Sequence, residues 1–199
     1  MDAEPSLRLF VALPLPAEVA ARLVAVQREL RAVLPPHSTA WVKPGGLHLT
    51  LRFLGAVNAA RVPELEQSLR AGLSEQGELD LVCERLGCFP DLRFPRVVWA
   101  WVHTAGEQLN HLVQAVEAAA APFAEKPADA RFVGHVTLAR PKQIRRADAE
   151  RLARFVEGAV TRRVGEWRAG SVELIQSRLC PGGSEYTTLA TINLLSDSR

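Results

Sequence analysis

The stretch "HLTLRFLG" at residues 48–55 decides the fold, because it places a histidine and a threonine on alternate positions of an otherwise apolar strand. Successive side chains of a β-strand point to opposite faces. The alternation predicts a polar face that carries His48, Thr50 and Arg52, opposite an apolar face made of the leucines and the phenylalanine between them. The apolar face is typical of a core, and the polar face of a functional surface.

A second copy of this pattern lies in "HVTLARP" at residues 135–141, where His135 and Thr137 repeat the spacing of the first motif. The two histidines are 87 positions apart (135 − 48), close to half of the 199-residue chain. We therefore expect two similar lobes, each carrying one H-x-T-x motif, at residues 48–51 and 135–138. Their polar faces would meet in a cleft related by a pseudo-two-fold axis.

The rest of the chain predicts an α+β fold with antiparallel sheets, because strands outnumber helices and neighbouring strands are joined by short, turn-rich loops. Strands are predicted at residues 7–13, 79–89, 96–103, 171–179 and 186–195, besides the two motif strands. Helices are predicted from Pro16 to about residue 34, from an Asn58 cap to about Leu73, at 106–121 and at 147–158. The loop "FPDLRFP" is predicted to join a hairpin, and "CPGGSE" to join the last two strands.

The composition is that of one soluble globular domain spanning residues 1–199: 48% hydrophobic and 23% charged residues, with a net charge of +2. No apolar run approaches the roughly 20 residues that a membrane span needs. The start "MDAEPSLRLF" carries acidic residues where a secretory signal would be basic. We expect a cytoplasmic protein without a membrane or obligatory protein partner, and a monomer.

The three cysteines, Cys83, Cys88 and Cys180, lack the spacing of a disulfide framework or a zinc site and are interpreted as reduced thiols. A metal held by the two motif histidines would need further ligands. Neither polar face supplies a neighbouring Cys, Asp or Glu, so we expect no metal and no cofactor. A metal site would become possible only if a distant carboxylate, such as Glu185, reached the cleft.

The remaining histidines have structural interpretations. His37 follows two prolines and is predicted in a solvated loop, while His103 and His111 have no threonine two positions on.

The paired motifs suit acid–base chemistry at a phosphate group. An imidazole has a pKa near 6.5, so at neutral pH one histidine can accept a proton while another donates one. The Thr50 and Thr137 hydroxyls can donate hydrogen bonds to non-bridging phosphate oxygens. Two imidazoles and two hydroxyls thus predict a site for a tetrahedral anion.

On these motifs the chain resembles the two-histidine phosphoesterases, and within them the LigT-like RNA 2',3'-cyclic phosphodiesterases, also described as 2'-5' RNA ligases. Five stretches follow the order of that family: "RLFVALPLP" at 8–16, "LHLTLRFLG" at 47–55, "PRVVW" at 95–99, "FVGHVTLAR" at 132–140 and "CPGGSEYTTLA" at 180–190. The chain departs from the family at Gly45 and Gly46, where a polar or acidic residue is more usual, and at Gly134, where proline is common.

The resemblance implies a bilobal fold, with two antiparallel sheets flanking a central cleft and helices outside. It also implies an enzyme that hydrolyses RNA 2',3'-cyclic phosphate ends to 2'-phosphate ends. His48 would be the proton donor to the departing 3' oxygen, and His135 the proton acceptor that activates water. If the reaction ran in reverse, with a ribose 5'-hydroxyl in place of water, the same site could form 2'-5' linkages. On the sequence alone, pseudo-symmetry leaves the two roles nearly interchangeable.

Two arginines remain candidates for binding the phosphate. The family pattern favours Arg140, which strict alternation would turn away from the polar face unless a bulge bends the strand. Alternation instead favours Arg52, beside Thr50.

Binding of RNA beyond its reacting end has less specific signals. A basic cluster after the second motif could follow an RNA backbone, or could form a solvated helix face paired with Asp148 and Glu150. The cluster consists of Arg145, Arg146, Arg151 and Arg154. Bases could stack on Trp41, Trp99, Trp101 or Tyr186, although most of these are expected in the core.

Two other functions stay open at this stage. One is a two-histidine phosphoesterase acting on another nucleotide, such as a 2'-5' oligonucleotide or a cyclic phosphate of ADP-ribose. The other is a non-catalytic module that binds RNA ends.

Overall fold

The computed structural model describes residues 5–128, 131–142, 144–181 and 183–196. Residues 1–4 of the acidic start and Gly182 of "CPGGSE" lie outside these ranges. In the described part of the chain the strands are β1 (Ser6–Pro14), β2 (Thr39–Trp41), β3 (His48–Asn58), β4 (Leu79–Phe89), β5 (Val97–His103), β6 (His135–Pro141), β7 (Arg163–Ala169), β8 (Ser171–Cys180) and β9 (Gly183–Asn193). The α-helices are α1 (Ala17–Val33), α2 (Val62–Gly72), α3 (Gln108–Ala120) and α4 (Arg146–Gly158).

The described strands form one curled antiparallel sheet in the order β7-β4-β5-β6-β3-β1-β8-β9, with β2 paired to the free edge of β6. The seam between its halves is narrow, because β3 and β6 share a single residue pair, Leu49 with Val136. We call the strands on the β3 side the first lobe and those on the β6 side the second lobe. The predicted α+β fold with two lobes is confirmed, and the two expected sheets are the halves of this one sheet.

The lobes repeat one arrangement around the seam. In each lobe a strand, a helix and a motif strand follow in chain order, as β1-α1-β3 and β5-α3-β6, and the two strands pair antiparallel. Helix residues such as Leu23, Leu69 and Leu112 pack against Leu49 and Val136 in one apolar core. Because those two strand residues point into the core, the motif histidines point to the opposite, concave face of the sheet.

Several predicted boundaries differ from the observed ones. Asn58 caps a short 3-10 turn at Ala59–Arg61, by accepting a hydrogen bond from the amide of Ala60, and α2 begins only at Val62. Strands β2 and β7 were not predicted. One is only three residues long, and the other lies at the edge of the sheet and contains Gly165, a residue type that is depleted in strands.

The described part of the chain contains no helix that is long and apolar enough to cross a membrane. Cys83, Cys88 and Cys180 are free thiols, and burial raises the pKa of both Cys83 and Cys88 to about 12.

Candidate active site

The two motifs meet where the lobes join. Antiparallel pairing of Leu49 with Val136 places His48 next to Thr137 and Thr50 next to His135, all on the concave face. The four half-buried side chains therefore surround the pseudo-two-fold axis as two imidazoles and two hydroxyls. The structure brings together the four motif residues that the sequence predicted.

Each histidine ring is oriented by a carbonyl two residues earlier in the chain. Nδ1 of His135 lies 2.7 Å from the carbonyl oxygen of Val133, and a ring nitrogen of His48 bonds the backbone of Gly46. Because a carbonyl can only accept, Nδ1 of His135 carries a proton, and Nε2 of the neutral ring is left with its lone pair. Such a ring is prepared to accept a proton at Nε2.

Aromatic rings hold the histidines on their other sides. His48 stacks on Phe10 at 4.7 Å and meets the edge of Tyr186 at 5.2 Å. His135 meets the edge of Phe89 at 5.0 Å and lies 6.3 Å from the ring of Trp99. Neither Phe10 nor Phe89 was among the site residues predicted from the sequence. For Phe10 the available signal was its alternation with the core residues of β1, which puts it on the concave face.

Both histidines are shifted towards the neutral form. Burial, followed in size by the nearby charge of Arg140, lowers the pKa of His48 from 6.5 to about 4, against the opposing effect of its bond to Gly46. Burial and Arg140 also lower the pKa of His135. The same guanidinium thus acts on both rings, and His135 acts electrostatically on His48.

A bulge in each motif strand decides which of the two arginines lies on the concave face. On β3 the pairing with β1 skips Leu51, and on β6 the pairing with β5 skips Leu138. One extra residue reverses the alternation beyond it. Arg140 therefore turns to the concave face and is exposed, while Arg52 turns to the core and is 9% exposed.

The expectation that Arg52 shares a face with His48 and Thr50 is therefore wrong. Its guanidinium lies 2.5 Å from Glu117 on α3 and donates to the carbonyls of Phe53 and Lys126. The same bulge puts Phe53 on the concave face, at the position in the first lobe that Arg140 occupies in the second.

The bulge in β6 is held by a side chain that the sequence analysis did not single out. Nε2 of Gln27, buried on α1, donates to the carbonyls of Leu138 and Val42, both at 2.8 Å. The amide of Val42 donates to the same Leu138 carbonyl at 3.0 Å. Gln27 is thus a positioning residue for the strand that presents Arg140.

Among the described residues no group of three or more His, Cys, Asp or Glu side chains is arranged to hold a metal ion. Glu185 lies on β9 opposite Arg178 and forms a side-chain hydrogen bond with Cys180. These contacts of Glu185 are within the β8–β9 hairpin and not with the motif histidines.

The other predicted candidates fall outside the motif pair. His37 is exposed in its loop, as predicted, and His103 contacts Glu84. In the basic cluster, Arg146 pairs with Glu150 and Arg151 with Asp148, which favours the solvated helix face over an RNA groove.

The lowered pKa of His48 has a consequence for stability. In the unfolded chain this imidazole has a pKa near 6.5. Between about pH 6.5 and 4 the unfolded state therefore binds a proton that the folded state does not bind. The free energy of unfolding should be highest above pH 6.5 and fall as the pH drops towards 4, with His48 contributing at most about 3 kcal/mol of the loss. Urea denaturation at pH 7 and 4.5 should show a smaller loss in His48→Gln than in the wild type. Equal losses would contradict the shift.

Two half-buried imidazoles, two hydroxyls and one exposed guanidinium lie around one axis, an arrangement that could hold a phosphoryl group between two titratable rings. The sequence model of the LigT like phosphoesterases matches residues 13–99 and 101–186, and each match contains one motif. The chain belongs to this phosphoesterase family.

Individual relatives agree with the family. The chain is 31% identical to the RNA 2',3'-cyclic phosphodiesterase of Aquifex aeolicus, over 75% of this chain and 78% of that protein. It is 33% identical to the protein of the same name from Thermus thermophilus, over 94% and 90% of the two chains. The crystal structure of Escherichia coli LigT complexed with 3'-AMP superposes with a TM-score of 0.74, at 25% identity, over 96% of this chain and 99% of that chain.

Proposed function

We propose that this protein hydrolyses the 2',3'-cyclic phosphate at the end of an RNA to a 2'-phosphate, by histidine acid–base catalysis without a metal. The observation that carries the proposal is the pairing of Leu49 with Val136, which puts both H-x-T-x motifs side by side around one axis, with Arg140 acting on both histidine rings. Family membership and the names of the relatives support the substrate class.

In this mechanism the cyclic phosphate lies between the two threonine hydroxyls, which donate hydrogen bonds to its non-bridging oxygens, and Arg140 balances its negative charge. Nε2 of His135 accepts a proton from a water molecule, whose oxygen forms a new bond to phosphorus. The bond from phosphorus to the 3' oxygen breaks, and that oxygen takes a proton from His48. The product carries a 2'-phosphate and a 3'-hydroxyl.

The proton donor must be charged before it can act, although burial keeps His48 neutral in the free protein. A bound phosphodiester supplies an opposite charge next to the ring, which raises the pKa of the imidazole. Substrate binding and protonation of His48 are thus coupled, and the enzyme acquires its acid together with its substrate.

We also propose that residues 1–199 act as a single domain of two lobes, as a monomer in the cytoplasm. The support is that both motifs and Arg140 come from one chain and converge across one continuous sheet. The 2'-5' ligation of RNA ends is the reverse of the same chemistry with a 5'-hydroxyl as the attacking group.

The proposed function is tested with a short RNA ending in a 2',3'-cyclic phosphate, incubated with the protein in the presence of a chelator. We expect complete conversion to an RNA with a 2'-phosphate end, which is distinguished from a 3'-phosphate end by chromatography against both standards. A product with a 3'-phosphate, or turnover that stops with the chelator, would contradict the mechanism. Binding of the RNA without turnover would favour the non-catalytic module that binds RNA ends. Turnover of an ADP-ribose cyclic phosphate, without turnover of the RNA, would favour a phosphoesterase acting on another nucleotide.

A further inference from the structure

The second lobe carries an aromatic and basic cluster beside the phosphate site that the mechanism does not use. It consists of Glu84, Arg85, Trp101 and His103, which we call the β4–β5 platform. Trp101 is the direct cross-strand partner of His135, so both side chains lie on the concave face, and Glu84 is in turn the partner of Trp101 on β4. The platform therefore continues the active-site surface outwards from His135.

Its side chains form a stack. The ring of His103 lies parallel to Trp101 with the ring centres 4.0 Å apart, and the guanidinium carbon of Arg85 lies 4.9 Å from the centre of the Trp101 ring. The Glu84 carboxylate is 3.3 Å from His103 and 3.4 Å from Arg85, which fixes both ends of the stack. The Arg85 side chain remains 52% exposed.

The backbone at Arg85 has a left-handed conformation. Arg85 is the extra residue of a bulge in β4, between the pairs Glu84–Trp101 and Leu86–Ala100, and its φ angle is 52°. That left-handed conformation normally selects glycine, and strained residues of this kind concentrate at functional sites. Its amide is still satisfied, because it donates to the carbonyl of Arg162 at 2.8 Å. The left-handed conformation thus occurs at the residue whose guanidinium covers the Trp101 ring.

We infer that the β4–β5 platform binds a base of the RNA on the 5' side of the reacting end, by stacking the base on the guanidinium of Arg85. RNA bases in single strands are held by aromatic rings and by arginine planes. A phosphate is a poorer occupant, because the Glu84 carboxylate already neutralises Arg85 and repels a second anion. This inference rests on the proposed function for the polarity of the RNA in the cleft.

The position selects a base beyond the terminal nucleotide. The backbone of Arg85 on β4 is two strands from β6, about 10 Å across the sheet at the usual strand spacing, and its guanidinium reaches back over Trp101 on β5. Groups that touch the reacting phosphate come from β3 and β6, at the seam. The platform lies outside this seam on the side of the second lobe, where an RNA that continues from the cyclic end over this lobe would cross it.

The test compares the affinity of the protein for two product analogues, which need no turnover: an RNA tetranucleotide ending in a 2'-phosphate, and adenosine 2'-phosphate. Arg85→Gly removes the guanidinium and relaxes the strained backbone, so this variant should fold. We expect it to bind the tetranucleotide about tenfold more weakly and adenosine 2'-phosphate unchanged. Arg85→Lys, which keeps the charge but has no planar group, should not restore the affinity.

The matched control is Arg31→Ala, since Arg31 lies 4.3 Å over the ring of Trp41, and Trp41 pairs with the core residue Ala139 on β6. This variant should bind both analogues like the wild type. The inference would be overturned by an unchanged affinity of Arg85→Gly for the tetranucleotide, by equal weakening for both analogues, or by full rescue with lysine. Failure of the wild type to hydrolyse a cyclic phosphate would refute the proposed function alone, because the binding comparison stands without turnover.

Discussion

Replacing either His48 or His135 with alanine is expected to lower the turnover of an RNA 2',3'-cyclic phosphate by about 10³-fold or more, within the range of general acid–base catalysis. In the proposed mechanism one ring accepts a proton and the other donates one across a single phosphoryl group, so neither ring can replace the other. The measurement is the single-turnover rate at saturating enzyme, which separates chemistry from binding. His111→Ala is the matched control, since His111 is exposed on α3, and it should retain the full rate.

The two variants should differ on a substrate with an easy leaving group. An aryl phosphodiester releases a phenolate that needs no proton from the enzyme, whereas its attack by water still needs a base. We expect His48→Ala to keep most of the wild-type rate on such an ester and His135→Ala to lose it. The opposite result would exchange the roles of the two histidines, and full activity of both variants on the RNA substrate would exclude the acid–base mechanism.

The sequence was sufficient to predict the lobes and the four motif residues because both depend on local patterns. Alternation of apolar and polar residues places a side chain on one face of a strand, and a repeated pattern predicts a repeated unit. The elements that were missed depend on distant partners. Strand β2 has three residues and exists because the edge of β6 is open beside it, and β7 lies at the edge of the sheet beside β4.

The difference between local patterns and distant partners also explains why the sequence did not place Arg52 and Arg140 correctly. A bulge is an extra residue in a ladder, and nothing in "HLTLRFLG" or "HVTLARP" shows where the partner strand will skip one. For the bulge in β6, one trace in the sequence is Gln27, a polar residue at a core-facing position of α1, whose amide group donates to the carbonyl of Leu138 together with the amide of Val42. Arg52 and Arg140 therefore had to be placed by the structure.

This placement predicts opposite defects for the two arginines. Arg140→Ala should lower turnover of the RNA cyclic phosphate by about 10²-fold, because in the proposed mechanism this guanidinium balances the charge of the phosphate. It should also weaken the binding of inorganic phosphate, and its folded stability should stay close to that of the wild type because the side chain is exposed. Proton NMR titration should show higher pKa values for His48 and His135, since Arg140 contributes to the lowering of both.

Arg52→Ala is the matched comparison, and its defect should be in stability. The substitution leaves Glu117 without its ion pair and the carbonyls of Phe53 and Lys126 without their donor, which should cost about 2 kcal/mol of unfolding free energy. The turnover per folded molecule and the affinity for phosphate should remain within about twofold of the wild type, because the bulge turns Arg52 away from the concave face. Loss of phosphate binding in Arg52→Ala with normal binding in Arg140→Ala would contradict this assignment. Together, urea denaturation and phosphate titration of both variants separate an arginine that binds the substrate from one that holds the strand behind it.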